Sequence, residues 1–251
     1  MAKYLLAIDI GNTNITAGLF KDAYLCMKKK VSSHGYSTYN KFFGSFLKSC
    51  DKKHITDVII SSVVPLVLSR VMVTLNKLGN NNIVILGRDK KVPIVNLYKV
   101  KGEVGIDRLV NAFAAKAIYG IPAVVVDFGT AITFDCISAK GEYLGGLIMP
   151  GIEISLASLY NKTALLPKVE LKPAHDIIGK DTVNSMRGGI LFGFGAMCDA
   201  LALEYRKILG KNLKVIATGG NARLIKKYAR SIQKVDEDLT LKGLYLISLK
   251  I

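Results

Sequence analysis

The spacing of apolar and polar residues predicts strands and helices in turn along most of the chain. An apolar run that starts at Leu5 ends in a lone carboxylate, Asp9, and a Gly-Asn-Thr turn then leads into a second strand, Ile15–Phe20. Over Ser37–Cys50 the aromatic residues fall on one helical face, which is typical of a helix that packs on a sheet. The chain therefore begins with a β-hairpin and a packed helix, as α/β proteins do.

The same patterns predict the remaining elements. Further strands are expected at Val58–Val64, Ile83–Leu86, Ala123–Asp127, Ile132–Ser138, Tyr143–Met149 and Lys214–Thr218, and further helices at Pro65–Leu78, Gly105–Lys116, Ile154–Leu159, Ala222–Ala229, Leu239–Lys250 and from Asp181 onward. The polar, proline-containing connection Asn161–Lys180 is too long for a simple turn, and we expect it to cover a substrate. Glycines 188, 189, 193 and 195 inside the long helix predict close contacts with a neighbouring element.

A strand that ends in Asp and a glycine turn occurs twice. Asp9–Thr13 near the start is repeated as Asp127–Thr130 near the middle, with the second turn one residue shorter. A single Asp-x-Gly turn is ordinary hairpin chemistry, so the repetition carries the inference. It predicts two duplicated α/β lobes that face each other across a nucleotide cleft.

Residue types in two of these stretches suggest chemistry. In the first turn, Gly11 allows a ligand to approach the backbone, and the amides of Asn12 and Thr13 together with the Thr13 hydroxyl can donate to phosphate oxygens. In the predicted helix that follows Gly105, Asp107 is either a helix N-cap or a proton acceptor. Arg108 is correspondingly either solvated or a partner for an anionic substrate.

Composition and charge exclude some classes of protein. The chain has 251 residues, half of them hydrophobic, and can bury a substantial core as one large or two modest domains. A formal charge of +16 would attract polyanions, but the lysines are spread over predicted turns and helix faces with no aromatic residues interleaved. We therefore expect no dedicated nucleic-acid site, since a diffuse positive field attracts ATP-like anions equally well.

The sequence was also searched for targeting signals and for cysteine patterns. We find no apolar run of the length needed to span a bilayer and no signal-peptide pattern at the start, so we expect a cytoplasmic protein without a membrane partner. The four cysteines, Cys26, Cys50, Cys136 and Cys198, are scattered without a C-x-x-C pair. This spacing indicates reduced core thiols rather than a zinc site or a disulfide framework.

Six short motifs together resemble type III pantothenate kinase, and they occur in the order of that family. They are Asp9–Thr13, Ser61–Pro65, Gly105–Arg108, Asp127–Thr130, Gly145–Gly146 with Pro150–Gly151, and Thr218–Asn221. The resemblance covers nearly the whole chain. It implies the α/β fold of the actin, sugar-kinase and heat-shock-chaperone superfamily, with two ribonuclease-H-like lobes of mixed sheets flanked by helices, over residues 1–117 and 118–251. It also implies a homodimer, ATP in the cleft, and the first committed step of coenzyme A synthesis.

The resemblance further assigns residues to ligands. ATP phosphates and their Mg²⁺ are assigned to Asp9, Ile10, Gly11, Asn12, Thr13, Asn14, Ile15 and Thr16, with Asp9 as a candidate Mg²⁺ ligand, and ATP also to Thr130. Pantothenate is assigned to Tyr98, Gly105, Ile106, Asp107, Arg108 and Thr182. Asp107 is the implied proton acceptor, and Asp127 is implied to hold a monovalent cation, K⁺ or NH₄⁺.

Two other classes of function stay open on the sequence. One is another small-molecule kinase or a phosphatase of the same superfamily, because a fold does not determine its substrate. Gly105–Arg108 is the stretch that favours pantothenate over these. The other is a non-catalytic regulatory homologue, which the presence of Asp9, Asp107 and Asp127 together disfavours.

Overall fold

The computed structural model describes residues 4–49, 55–79 and 82–250. In chain order the strands are β1 (Tyr4–Ile10), β2 (Asn14–Lys21), β3 (Tyr24–Ser32), β4 (Ile55–Ser62), β5 (Ile83–Ile85), β6 (Ala123–Phe128), β7 (Ala131–Ile137), β8 (Tyr143–Pro150), β9 (Lys214–Thr218) and β10 (Lys234–Val235). The α-helices are α1 (Tyr39–Ser49), α2 (Pro65–Lys77), α3 (Ile106–Tyr119), α4 (Ile152–Lys162), α5 (Thr182–Leu209), α6 (Ala222–Lys226) and α7 (Leu239–Ser248). The predicted elements are confirmed within a few residues. Cys50, the predicted end of the first helix, lies outside the described residues.

The elements form two compact units with the same sheet topology. The first sheet has the order β3-β2-β1-β4-β5 and the second has the order β8-β7-β6-β9-β10. In each sheet the first three strands in sequence form an antiparallel meander, and the last two run parallel to the first. Helices connect the parallel strands, as a parallel connection requires. Both sheets are mixed, which confirms the predicted α/β class and the predicted duplication.

The units do not divide the chain at residue 117. The first unit contains Met1–Ile94, Val100–Ala114 and Leu239–Ile251, and the second contains Val95–Lys99 and Ala115–Asp238. The last helix joins the first unit because Tyr245 stacks on Phe20, with ring centroids 4.8 Å apart. The predicted ranges 1–117 and 118–251 therefore assigned three stretches differently: residues 95–99, residues 115–117 and the C-terminal helix.

Each unit has its own apolar core. In the first unit, Ile8 and Ile10 of β1 and Val71 of α2 are buried in one cluster with the aromatic face of α1. In the second, Leu191 and Cys198 of α5 lie in a cluster with apolar residues of β6, β7 and β9. The aromatic residues of α1 are thus core, as predicted, because they face the sheet.

The cysteines follow the core prediction only in part. Cys136 and Cys198 are buried free thiols, and burial raises the pKa of Cys198 to about 11. Cys26 is exposed on β3, so the core interpretation is wrong for it, because the side chains of that outer strand alternate between partly covered and exposed positions. Cys50 lies beyond what the structure describes.

Helix α5 departs from two predictions. Among the described residues it is the one helix that is long and apolar enough to cross a bilayer, judged by length and composition alone, and a third of its most apolar window is buried. Of its glycines, Gly195 lies tightly against the backbone of Tyr228, whereas Gly189 and Gly193 face open space. Close contact therefore explains Gly195, and Gly188 is buried with ordinary contacts. The prediction is wrong for Gly189 and Gly193, because they lie on the exposed face of the helix.

Candidate functional site

The Asp-bearing turn of the first unit lies at the carboxyl end of β1. Asp9 is the second-last residue of that strand, directly opposite Thr16 on β2 and Ser61 on β4. The three residues 11–13 then connect β1 to β2, and the N–H of Gly11 donates to the carbonyl of Asn14 at 3.0 Å. Asn12 and Thr13 are exposed. The turn therefore carries its polar groups where a ligand can reach them.

A buried serine that the sequence analysis did not identify holds this turn. Ser33, directly after β3, donates from its hydroxyl to the Gly11 carbonyl at 2.6 Å and from its N–H to the Thr13 carbonyl at 2.9 Å. The Tyr39 hydroxyl in turn donates to the Ser33 carbonyl at 2.8 Å. The turn is thus held by hydrogen bonds from Ser33, and both Ser33 and Tyr39 are buried.

The predicted substrate turn lies at the same edge of the same unit. Strands β1, β4 and β5 are parallel, so their carboxyl ends share one edge of the sheet. Val63, just after β4, donates its N–H to the Ile10 carbonyl at 3.1 Å, and a Cβ on Gly105 would lie 3.5 Å from Val63 Cγ1. Structure and sequence thus agree in bringing Asp9–Thr16 and Gly105–Arg108 to one edge, where ligands of open α/β sheets bind.

Asp107 is not the N-cap of α3. The helix begins at Ile106, and the Gly105 carbonyl accepts the N–H of Arg108 at 3.1 Å, so Asp107 lies inside the first turn. Its carboxylate accepts the N–H of Arg108 at 2.9 Å. Burial raises the pKa of Asp107, against the opposing effects of the Arg108 N–H and guanidinium charge. A raised pKa brings a carboxylate closer to the range of a general base.

Arg108 is buried rather than solvated, with 8 % of its surface exposed. A buried guanidinium is retained where it meets an anion or hydrogen-bond acceptors, because desolvating the charge is costly otherwise. The structure therefore excludes the solvated alternative for Arg108 and keeps the anion-partner alternative.

The second unit repeats the Asp turn with the same register. Asp127, the second-last residue of β6, lies opposite Thr133 on β7 and Thr218 on β9. Only the two residues 129–130 connect β6 to β7, and Thr130 is exposed. Gly219 has a φ of +88°, and a Cβ there would collide with the Asp127 carboxylate. The carboxylate therefore lies against backbone that only glycine can provide.

The strand register places a hydroxyl-bearing residue, Thr133, opposite Asp127. Thr133, directly opposite, donates its hydroxyl hydrogen to Asp135 at 2.8 Å, which leaves the lone pairs of that oxygen as acceptors. Within the part of the chain that the structure describes, no three His, Cys, Asp or Glu side chains cluster as transition-metal ligands would. One carboxylate with neutral oxygens is compatible with a monovalent ion and with Mg²⁺ that keeps other oxygen ligands.

Tyr98 belongs to the second unit and is held there by Tyr143. The backbone of Tyr143 bonds to Val95 at 2.8 Å and to Leu97 at 2.9 Å, and the rings of Tyr98 and Tyr143 lie 6.4 Å apart. A Cβ on Gly145, which has a φ of +111°, would lie 3.1 Å from the Tyr98 ring. The segment 95–99 therefore packs against β8 in the second unit, although the residues on either side of it in sequence belong to the first unit.

The buried carboxylate beneath Tyr143 was also missed by the sequence analysis. Asp135 on β7 is 0 % exposed and accepts the Tyr143 hydroxyl at 2.8 Å. An Asp in the middle of an apolar strand was the available signal, because a buried carboxylate needs donors.

Thr182 is the first residue of α5. The preceding residue, Asp181, caps the helix by accepting the Asn184 N–H at 2.8 Å, and its bonds with Asn184 lower the pKa of Asp181. This confirms that Asp181 and Thr182 open the long helix. Thr182 is exposed there, and a ligand can reach it.

Within each unit, the structure groups most of the predicted residues. The first unit brings together the Asp9–Thr16 hairpin and Gly105–Arg108, and the second brings together Asp127 and Thr130. Tyr98 lies over Gly145, and Thr182 lies at the start of α5.

Comparison with known proteins gives one family. The family model described as type III pantothenate kinase matches residues 5–204. The type III pantothenate kinase of Syntrophus aciditrophicus is 41% identical over 97% of this chain and 98% of its own, and that of Finegoldia magna is 39% identical over 99% and 98%. Component A of the (R)-2-hydroxyglutaryl-CoA dehydratase of Acidaminococcus fermentans aligns with a TM-score of 0.56 and 14% identity over 99% of both chains, a likeness of fold alone.

Proposed function

The chain belongs to the type III pantothenate kinase family, and from that premise we propose which of its residues carry the reaction and what they require. The reaction is the ATP-dependent phosphorylation of pantothenate in coenzyme A biosynthesis. The observation that carries the assignment of residues is the shared sheet edge of the first unit, where the Asp9 turn lies with Gly105–Arg108.

The phosphates of ATP bind the Asp9–Thr16 hairpin. Phosphoryl transfer depends mostly on positioning and on neutralising charge, so backbone amides and a carboxylate-held Mg²⁺ are suitable parts. The turn supplies exposed Asn12 and Thr13, and Asp9 lies at the adjacent strand end. Thr130 is a further candidate ATP residue.

Pantothenate binds Gly105–Arg108, and Tyr98 and Thr182 are further candidate residues for this substrate. Asp107 accepts the proton of the attacking primary hydroxyl, and its raised pKa suits it to that role near neutral pH. The buried guanidinium of Arg108 pairs with the single carboxylate of pantothenate, because a desolvated guanidinium gains most from a full negative charge.

Two cations complete the chemistry. Asp9 would hold Mg²⁺, and the ion would supply neutralisation of the phosphate charge. A monovalent cation, K⁺ or NH₄⁺, is held by Asp127 with the Thr133 oxygen opposite it. Without a cation, a carboxylate about 4 Å from a phosphate charge is repelled by about 4 kcal/mol at an effective dielectric near 20.

The protein works as a homodimer in the cytoplasm. Its second unit exposes apolar side chains on β8 and α4, including Leu147 at 40%, Ile148 at 64% and Ile154 at 48%. The solvent-facing side of α5 adds Leu203 and the two open glycines. We infer that a second copy of the chain covers some of these side chains, since exposed apolar residues on an outer strand and on helices are typical of interfaces between copies.

A direct assay tests the function. Purified protein is incubated with MgATP and pantothenate, and phosphorylated pantothenate is measured against a sugar and acetate as alternative acceptors. We expect turnover when pantothenate is the acceptor and none when the acceptor is a sugar or acetate. Turnover with a sugar or acetate and none with pantothenate would refute the assignment. Light scattering at micromolar concentration gives the oligomeric state, and a fully active monomer would refute the homodimer.

A further inference from the structure

Ser33 is a buried residue to which neither the sequence motifs nor the proposed reaction assigns a role. Its side chain is 0% exposed, and it follows β3 directly. Its hydroxyl and N–H donate to the carbonyls of Gly11 and Thr13. Two of the three residues in the first turn therefore have their carbonyl groups directed at one serine.

Peptide geometry converts these two bonds into a direction for two amides. In a planar trans peptide, the N–H that follows a carbonyl points the opposite way. The bond from the Ser33 hydroxyl to Gly11 therefore turns the N–H of Asn12 away from Ser33, and the bond to Thr13 does the same for Asn14. Asn12 lies at the exposed tip of the turn. A backbone N–H that is directed outward at such a turn can bind an anion.

We propose that Ser33 is a positioning residue for the ATP phosphates, whose hydroxyl holds the Gly11 peptide so that the Asn12 N–H is presented to the ligand. The inference rests on the proposed function, because it takes phosphate as the ligand of this turn. Gly11 has no Cβ to resist rotation of its peptide. Without the hydroxyl bond, that peptide can turn its carbonyl oxygen toward the ligand, where it repels an anion.

The test separates phosphate binding from binding of the nucleoside. Calorimetry measures the affinity of wild type and Ser33→Ala for a non-hydrolysable MgATP analogue and for adenosine. Losing one hydrogen bond should weaken the analogue roughly 3- to 10-fold. Adenosine affinity should stay unchanged, because adenosine has no phosphates. The KM for ATP should rise by a similar factor while the KM for pantothenate stays constant.

A matched control removes the same kind of bond elsewhere in the first unit. Thr74 in α2 is nearly buried and donates its hydroxyl to the Arg70 carbonyl at 3.1 Å. Thr74→Val should leave the affinity for the ATP analogue unchanged. Equal losses in Thr74→Val and Ser33→Ala would overturn the proposal, and so would equal losses for the analogue and adenosine.

A second variant keeps the test valid if Ser33→Ala does not fold. Tyr39→Phe leaves the Ser33 hydroxyl in place but removes the bond to the Ser33 carbonyl, and it should weaken the analogue by roughly 2- to 3-fold. If every folded variant of Ser33 and Tyr39 binds the analogue as tightly as wild type does, the positioning role of Ser33 is overturned. The proposed function is not affected by that result. Wild-type protein that binds the analogue no more tightly than adenosine would instead refute phosphate binding at this turn, and with it the proposed function.

Discussion

The two Asp-bearing hairpins share a register but differ in what supports their turns. In the first unit, Ser33 follows the third strand and hydrogen-bonds to the carbonyls of the turn. In the second unit, Gly151 takes the equivalent place after β8, and a Cβ there would collide with the carbonyls of Gly129 and Thr130. The turn after β1 is supported by hydrogen bonds, whereas the turn after β6 is supported by close packing against Gly151. The same framework thus carries an Asp at the strand end in both units but supports the turn beside it by hydrogen bonds in one unit and by close packing in the other.

The outer strands differ in a parallel way. β3 carries Lys28, Lys29 and Lys30, and charged side chains on an outer strand discourage pairing with another chain. β8 exposes Leu144, Leu147 and Ile148 instead. The duplicated units therefore have one outer strand protected from association and one suited to it, which is why we place the dimer interface on the second unit.

The largest effect is expected at Asp107, in the first unit. Asp107→Asn should lower kcat by about 10²- to 10⁴-fold, the usual range for loss of a general base, with little change in ATP affinity. Steady-state kinetics with calorimetry for ATP measures both. Near-normal turnover would show that Asp107 only orients the hydroxyl.

The pH dependence of Asp107 sharpens this prediction. Its pKa is raised in the folded protein, so its contribution favours folding below the pKa of unfolded Asp and is lost as pH rises through the folded pKa. Asn has no charge to desolvate, so Asp107→Asn should unfold at the same or a higher temperature at pH 7. The acid limb of kcat/KM in wild type should lie above the ordinary Asp range. An acid limb within that range would contradict the shift.

At Asp127, in the second unit, we expect loss of the response to cations. Replacing Na⁺ by K⁺ or NH₄⁺ at constant ionic strength should raise wild-type kcat roughly tenfold, equivalent to about 1.4 kcal/mol. Asp127→Ala should show no such response and no K⁺-dependent rise in the unfolding temperature. Equal rates in Na⁺ and K⁺ for wild type would refute the cation site.

A smaller effect, a loss of folding stability, is expected when the residue that supports the first turn is introduced beside the second turn. Gly151→Ser places in the second unit the residue found at 33 in the first, and we expect a loss of about 1–3 kcal/mol from overpacking against the turn carbonyls. Urea unfolding measures this. Gly44→Ala in α1 is the control, because its Cβ would meet nothing within 4 Å, and a helix interior gains up to about 1 kcal/mol from this change. Wild-type stability in Gly151→Ser would mean that the turns are interchangeable.

The smallest effect on activity is expected at Tyr143. Tyr143→Phe removes a donor from buried Asp135 and should raise the KM for pantothenate a few-fold, because Tyr98 rests on this strand. Tyr119→Phe is the matched control, since it removes a 2.7 Å phenol bond to the nearly buried Asp236 in the same unit. Both changes should cost about 1–3 kcal/mol of stability. An equal rise in KM in both variants would contradict a specific role for Tyr143.

Local pattern explains which features of the sites could be predicted. Asp9 and Asp127 were recognised because an apolar strand, an acid and a glycine turn are consecutive in sequence. Asp107 was recognised with two alternatives; its position within α3 excludes the N-cap, and the proton-acceptor role stays a prediction. Ser33 and Asp135 were not recognised, because their roles depend on which strands pair and in what register.

The sequence by itself determined the order of the elements, the α/β class, the duplication and the family, because periodicity and short motifs act over a few neighbouring residues. Tertiary structure alone decided that α7 returns to the first sheet, that segment 95–99 follows Tyr143, and that Ser33 lies beneath the first turn. These are contacts between residues distant in sequence. They depend on buried area and on satisfying buried polar groups, and neither quantity is defined until the chain has packed.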